Sequence, residues 1–136
     1  MTAVEVYDNQ GRCDAFARLI AACEEFGPYC LIGGLAVNCY VEPVYTIDAD
    51  LVIVSPNLES LSRRLRTEGY RIEEYAHLLN AFPPDSELRI RFTTDERYQL
   101  FLGSSIGAEV LGVRTRVGSL EDVAQGKLWA YRGPAR

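Results

Sequence analysis

The sequence predicts an α+β domain, a mixed β-sheet flanked by helices. Three observations carry this. Apolar residues recur at helical spacing near both ends and in the middle of the chain, the period of a helix with one buried face. Short apolar runs bounded by Gly and Pro lie between them, as strands do. Helix and strand alternate early in the chain, whereas several strands follow one another directly later on, which suits a mixed sheet.

Asp8 or Asn9 is placed to cap a first helix running to about Glu25, with Phe16, Leu19, Ile20 and Cys23 on its buried side. Gly27 and Pro28 end it. Tyr29-Cys30-Leu31-Ile32 is a short strand, Gly33-Gly34 a turn, and Leu35–Tyr40 a short helix, with Val41–Tyr45 a loop around Pro43. Ile47–Val54 is apolar apart from Asp48 and Asp50, as a central strand is. Ser55 then caps a helix with Pro56 in its first turn, striped by Leu58, Leu61 and Leu65 and ended by Gly69. Arg71–Tyr75, Leu78–Phe82 and Leu88–Phe92 read as strands, Asp95–Leu102 as a helix, and Glu109–Leu111 and Val113–Val117 as strands. Ser119 with Asp122 forms a capping box for a last helix that buries Leu120, Val123, Ala124, Leu128 and Tyr131.

At 136 residues, 48% of them hydrophobic, the chain reads as one domain over residues 1–136. A chain of this size buries roughly 68% of its unfolded surface and needs no metal or disulfide staple. Its apolar runs fall far short of the ~20 residues of a membrane helix, and MTAVEVYDNQ lacks the features of a signal peptide, so the expected setting is the cytoplasm, with no membrane partner. Cys13, Cys23, Cys30 and Cys39 fit no zinc spacing and sit among apolar residues, as reduced core thiols do. His77, the single histidine, has no nucleophile turn beside it and reads as a surface or strand-edge residue. A net charge of −5 argues against nonspecific nucleic-acid coating. Of the basic residues thirteen are Arg, however, and they cluster locally at 63–66, 89–91 and 114–116.

Chemistry concentrates between Ile32 and Val54. Gly33-Gly34 lies between a strand and a helix, where backbone N–H groups can approach a phosphate closely, although such a pair also serves as a plain tight turn. Asp48 and Asp50, two apart on a strand, project from one face roughly 6.6 Å apart along the backbone. Unpaired buried carboxylates are costly, so the pair either holds divalent cations or faces solvent and pairs with Arg.

Leu31-Ile32-Gly33-Gly34 followed by Thr46-Ile47-Asp48-Ala49-Asp50-Leu51-Val52 resembles the nucleotidyltransferase fold of the DNA polymerase beta superfamily. The Gly-Gly-x-Ala opening, Thr46 and the closing Lys127-Leu128-Trp129-Ala130 are similar to a bacterial branch that includes AbiEii-like toxins of toxin–antitoxin systems. The resemblance spans about Tyr29 to Tyr131, and relatives continue into further helices, so a C-terminal helical portion is expected to be missing after Arg136. It implies metal-dependent transfer of a nucleoside monophosphate from a nucleoside triphosphate to a hydroxyl of RNA or of a partner protein. Asp48 and Asp50 would be catalytic and bind two Mg²⁺ or Mn²⁺ ions, and Gly33, Gly34 and Thr46 would hold the nucleotide. Lys127 either reaches a phosphate or is a snorkelling surface lysine.

The superfamily pattern also calls for a third carboxylate on the strand facing the pair. Arg91 stands at that position, with Glu87 or Asp95 as substitutes if the register differs. Val44 stands where the branch often has Arg. The expected function is therefore a nucleotidyltransferase weakened by loss of its third acid, with Arg91 or Arg89 pairing with Asp48 or Asp50. The alternative is an inactive binding module or toxin–antitoxin partner on the same fold.

Overall fold

The structure, a computed structural model, describes residues 3–37 and 48–132, with side chains for 14–36 and 48–129. The elements in chain order are α1 (Ala3–Glu25), β1 (Tyr29–Ile32), α2 (Gly33–Val37), β2 (Asp48–Ile53), α3 (Ser55–Thr67), β3 (Arg71–Glu74), β4 (Leu78–Phe82), β5 (Arg89–Thr93), α4 (Glu96–Gly103), β6 (Ile106–Val110), β7 (Val113–Val117) and α5 (Leu120–Arg132). The strands form one seven-stranded sheet in the order β3-β4-β5-β2-β1-β7-β6. Only β2–β5 and β1–β7 are parallel pairs among them; the others are antiparallel, so the predicted mixed sheet is what forms.

Strand alternation gives the sheet two unlike faces. Ala49, Leu51 and Ile53 of β2, Ile90 and Phe92 of β5, and Leu79 and Ala81 of β4 meet Phe16, Leu19 and Ile20 of α1 and Leu61 and Leu65 of α3 in the main core. On the other face α4 packs Phe101 against Cys30, Ile32 and Val52, with Tyr98, Leu102 and Trp129 at the margin. Beyond that smaller cluster the second face presents Asp48, Asp50, Arg89 and Arg91. Burial holds the Cys30 thiol protonated, pushing it up to about 12, with Asp122 adding to the rise and Arg116 opposing it. Cys23 is also a buried free thiol, whereas the side chains of Cys13 and Cys39 lie outside the described residues.

Several boundaries differ from the sequence expectation. α1 begins at Ala3, so Asp8 and Asn9 are interior to it. An interior Asp or Asn costs less than about 0.7 kcal/mol, and no Gly or Pro precedes them to stop the helix. The Gly33-Gly34 pair opens α2 instead of preceding it, and the expected loop Val41–Tyr45 lies outside the described residues. Val54, extended at φ −78° and ψ 142°, is the N-cap of α3 and makes no side-chain cap, so Ser55 is the first helical residue. β5 is displaced by one residue, because the Leu88 N–H donates to Ser86 Oγ at 3.1 Å and not into a ladder.

β6 starts at Ile106, three residues early, and meets β7 through a two-residue turn in which Leu111 and Gly112 both have positive φ, 48° and 78°. That is the backbone of a type I′ hairpin, which matches strand twist. α5 is rotated from the expected face: Val123 and Gly126 are buried, while Leu120 and Leu128 are 56% and 50% exposed and Ala124 is exposed. Gly126 faces the Tyr98 and Phe101 rings, where an added Cβ would come to 3.5 and 3.6 Å, ordinary van der Waals contact. The Tyr131 side chain lies outside the described residues.

Candidate active-site cleft

Backbone register places the first parts of the site. In the antiparallel β1–β2 ladder Ile32 pairs with Asp50, so the chain leaving β1 passes directly beside that carboxylate. The next residue, Gly33, has φ +77°, and a Cβ there would overlap Asp50 Oδ2. Glycine is needed twice over, for the left-handed backbone and for the close approach. Asp48 and Asp50 share one face of β2, with Ala49 fully buried on the other.

The parallel β2–β5 ladder sets Asp48 opposite Arg89 and Asp50 opposite Arg91. Arg89 Nε donates to Asp48 Oδ1 at 2.8 Å, and Arg91 Nε stands 4.0 Å from Asp50 Oδ1. The four groups line one cavity of about 310 Å³ with Asn80, which faces Arg91 from β4. Two carboxylates and two guanidiniums leave this wall neutral. Burial pushes the Asp50 carboxyl above the usual range; Arg91 pulls it back, Asp48 raises it further and Lys127 lowers it.

Asp50 and Arg91 also line a larger cleft of about 440 Å³, together with Gly33, Gly34, Arg97 and Lys127. Lys127 enters from α5, and His77 from the β3–β4 connection, whose carbonyl accepts the Thr94 N–H at 3.0 Å. Asp95 caps α4 by accepting the Arg97 N–H at 2.9 Å, and the Arg97 guanidinium returns to the same carboxylate at 3.2 Å. Those hydrogen bonds hold the Asp95 carboxyl below its usual range although burial opposes them. Arg97 lies over the Tyr98 and Trp129 rings, 5.5 and 5.3 Å from their centroids, and Trp129 stacks on Phe101 at 5.8 Å.

Of the residues singled out from sequence, Gly33, Gly34, Asp50, Arg91 and Lys127 thus meet around one cleft, and Asp48 lies in the cavity adjoining it through Asp50 and Arg91. Glu87 is exposed, precedes β5 and lines neither cavity. Thr46 lies outside the described residues. Sequence reading missed Arg97 and Tyr98, whose one available signal was an Asp-Glu-Arg-Tyr segment opening a helix just after the arginine strand.

The donors present do not fit a pair of divalent ions. Among the described residues no group of three or more His, Cys, Asp or Glu could hold a metal ion. Each of the two acids is instead faced by a guanidinium, which carries about 4 kcal/mol of attraction at 4 Å and an effective dielectric of 20 before solvent screening and competes with a cation for the same oxygens. No helix among the described residues is long and apolar enough to cross a membrane.

No family model and no curated protein matches the sequence. Solved structures do match. The antibiotic-resistance factor ANT(2'')-Ia, solved in complex with adenylyl-2''-tobramycin, superposes with a TM-score of 0.67 at 21% identity, covering 90% of this chain and 78% of that one. TM1012 from Thermotoga maritima, described as a nucleotidyltransferase, gives a TM-score of 0.64 at 14% identity over 97% of this chain and 88% of that one. The lincosamide adenylyltransferase LnuA, bound to lincomycin, gives 0.54 at 13% identity over 71% and 73%. These likenesses establish that the chain has the nucleotidyltransferase fold.

Proposed function

We propose that the protein binds a nucleoside triphosphate in the cleft between Gly33-Gly34 and Lys127, and that nucleotidyl transfer is lost or strongly reduced. The observation that carries this reading is the register Asp48↔Arg89 and Asp50↔Arg91, which puts a guanidinium across from each acid. The fold and the glycine approach supply a phosphate-sized berth, and Lys127 and Arg97 supply positive charge at its rim. Tyr98 lines the same wall, an aromatic side chain suited to contact with a nucleobase or another flat group. Of the chain's own groups, Gly33 and Gly34 admit the phosphates, Lys127 neutralises them, and Asp50, its proton held more tightly by burial, points at the same space. The AbiEii-like branch is the lineage we propose, on the Gly-Gly-x-Ala opening, Thr46 and Lys127-Leu128-Trp129-Ala130.

A second reading retains catalysis. It is favoured by the contrast between 2.8 Å for Arg89–Asp48 and 4.0 Å for Arg91–Asp50, because the second distance leaves Asp50 without a hydrogen bond from its facing arginine. On that reading a nucleoside monophosphate passes to a hydroxyl of RNA or of a partner protein, with Mg²⁺ or Mn²⁺ as the cofactor. Incubation of the purified protein with labelled triphosphates, Mg²⁺ and candidate RNAs separates the two. Retention of nucleotide without label transfer supports the binding module, and transfer that disappears in Asp48→Ala establishes the enzyme.

A further inference from the structure

Resting on the nucleotide-binding reading, we infer that this cleft takes its nucleoside triphosphate without a divalent cation, Arg89 and Arg91 serving as built-in counter-charges. A site that recruits metal-bound nucleotide presents one or two carboxylates free of a facing cation, which hold the ion together with the phosphates. This one does not. Arg91, Arg97 and Lys127 face Asp50 and Asp95 across the cleft, a net charge of +1. In the adjoining cavity Arg89 and Arg91 balance Asp48 and Asp50.

The geometry matches the charge count. The backbone ladder fixes residues 89 and 91 as the neighbours of Asp48 and Asp50, so both arginines start beside the acids. A guanidinium carries five N–H donors in a rigid fork, more than one carboxylate oxygen engages, and that fork suits phosphate oxygens. Arg91 lines both cavities, as Asp50 does, so it borders both the acid pair and the space in which the phosphates would lie. Its side chain is 62% exposed, which lets it turn toward a ligand while Arg89 keeps its 2.8 Å bond to Asp48.

The test is calorimetric titration of the full chain with each of the four ribonucleoside triphosphates, once in EDTA and once in excess Mg²⁺, with Mn²⁺ binding followed separately by electron paramagnetic resonance. The expected result is binding in EDTA at least as tight as in Mg²⁺, with no Mn²⁺ held by the free protein. Arg91→Asp should weaken binding in EDTA at least ~10-fold, a change of about 1.4 kcal/mol, and should create Mn²⁺ binding that the unaltered chain lacks. Arg91→Lys, which keeps the charge, should retain binding in EDTA and shows that the loss is not one of folding. Binding that appears only with Mg²⁺, or Mn²⁺ held by the unaltered chain and lost in Asp50→Asn, overturns the inference and leaves nucleotide binding standing. No binding under either condition overturns both.

Discussion

Gly33 lies so close to the Asp50 carboxylate that a single added carbon would overlap Oδ2. With φ at +77° the backbone there also disfavours any side chain. Gly33→Ala should therefore cost roughly 1–3 kcal/mol of stability, read from urea denaturation, and should weaken nucleotide binding. Removing the carboxylate in Gly33→Ala/Asp50→Ala relieves the overlap but not the backbone strain, so only part of the loss should return. A neutral single substitution contradicts this account.

Asp50 sets a pH dependence whose sign follows from burial. Its raised pKa means the folded chain binds that proton more tightly than the unfolded chain. Its contribution is fully present in acid, below the unfolded value, and is lost as pH rises through the folded value. Asp50→Asn cannot ionise, so the variant should gain stability relative to the unaltered protein as pH rises across the range that begins at the ordinary aspartate value of about 3.9. Denaturation midpoints across that range measure it; a difference that stays flat or runs the other way refutes the assignment.

The Arg89–Asp48 pair should contribute modestly. Both side chains are about half exposed, 59% and 49%, so a double-mutant cycle to alanine should give a coupling of about 0.2–1 kcal/mol that shrinks in high salt. A coupling of several kcal/mol would mean the pair is far drier than its exposure indicates.

The β6–β7 hairpin carries a correctable strain. Leu111 holds φ +48° on an exposed turn, a conformation Asn tolerates much better. Leu111→Asn should raise stability by about 0.5–1 kcal/mol without touching the cleft. A fall in thermal midpoint would show that Leu111 packs to more purpose than its exposure suggests.

Much of this was legible in the residues. The Tyr29–Ile32 strand has the expected limits because Pro28 and Gly33 bound it, and Pro83-Pro84 stop Leu78–Phe82 at its expected end. The Asp-x-Asp pair and its glycine partner were visible because strand period and glycine chemistry are local properties. What stayed hidden depends on three-dimensional contact. α5 turns Gly126 toward the Tyr98 and Phe101 rings of α4, a contact that no helical pattern within α5 encodes. The hairpin at Leu111 hid because a leucine occupies a place where Asn or Gly would have announced the turn. Arg97 and Tyr98 escaped notice since their importance comes from lining a cleft closed by another helix, α5.

The pairing of Ile32 with Asp50 has a wider consequence. Main-chain hydrogen bonds fix where the glycine approaches the acid, and they are indifferent to which side chains surround them. Such a frame leaves the side chains at positions 50 and 91 open to change, while the fold that presents them is shared with solved structures at 21% identity or less. Chemistry and scaffold can then evolve on separate clocks.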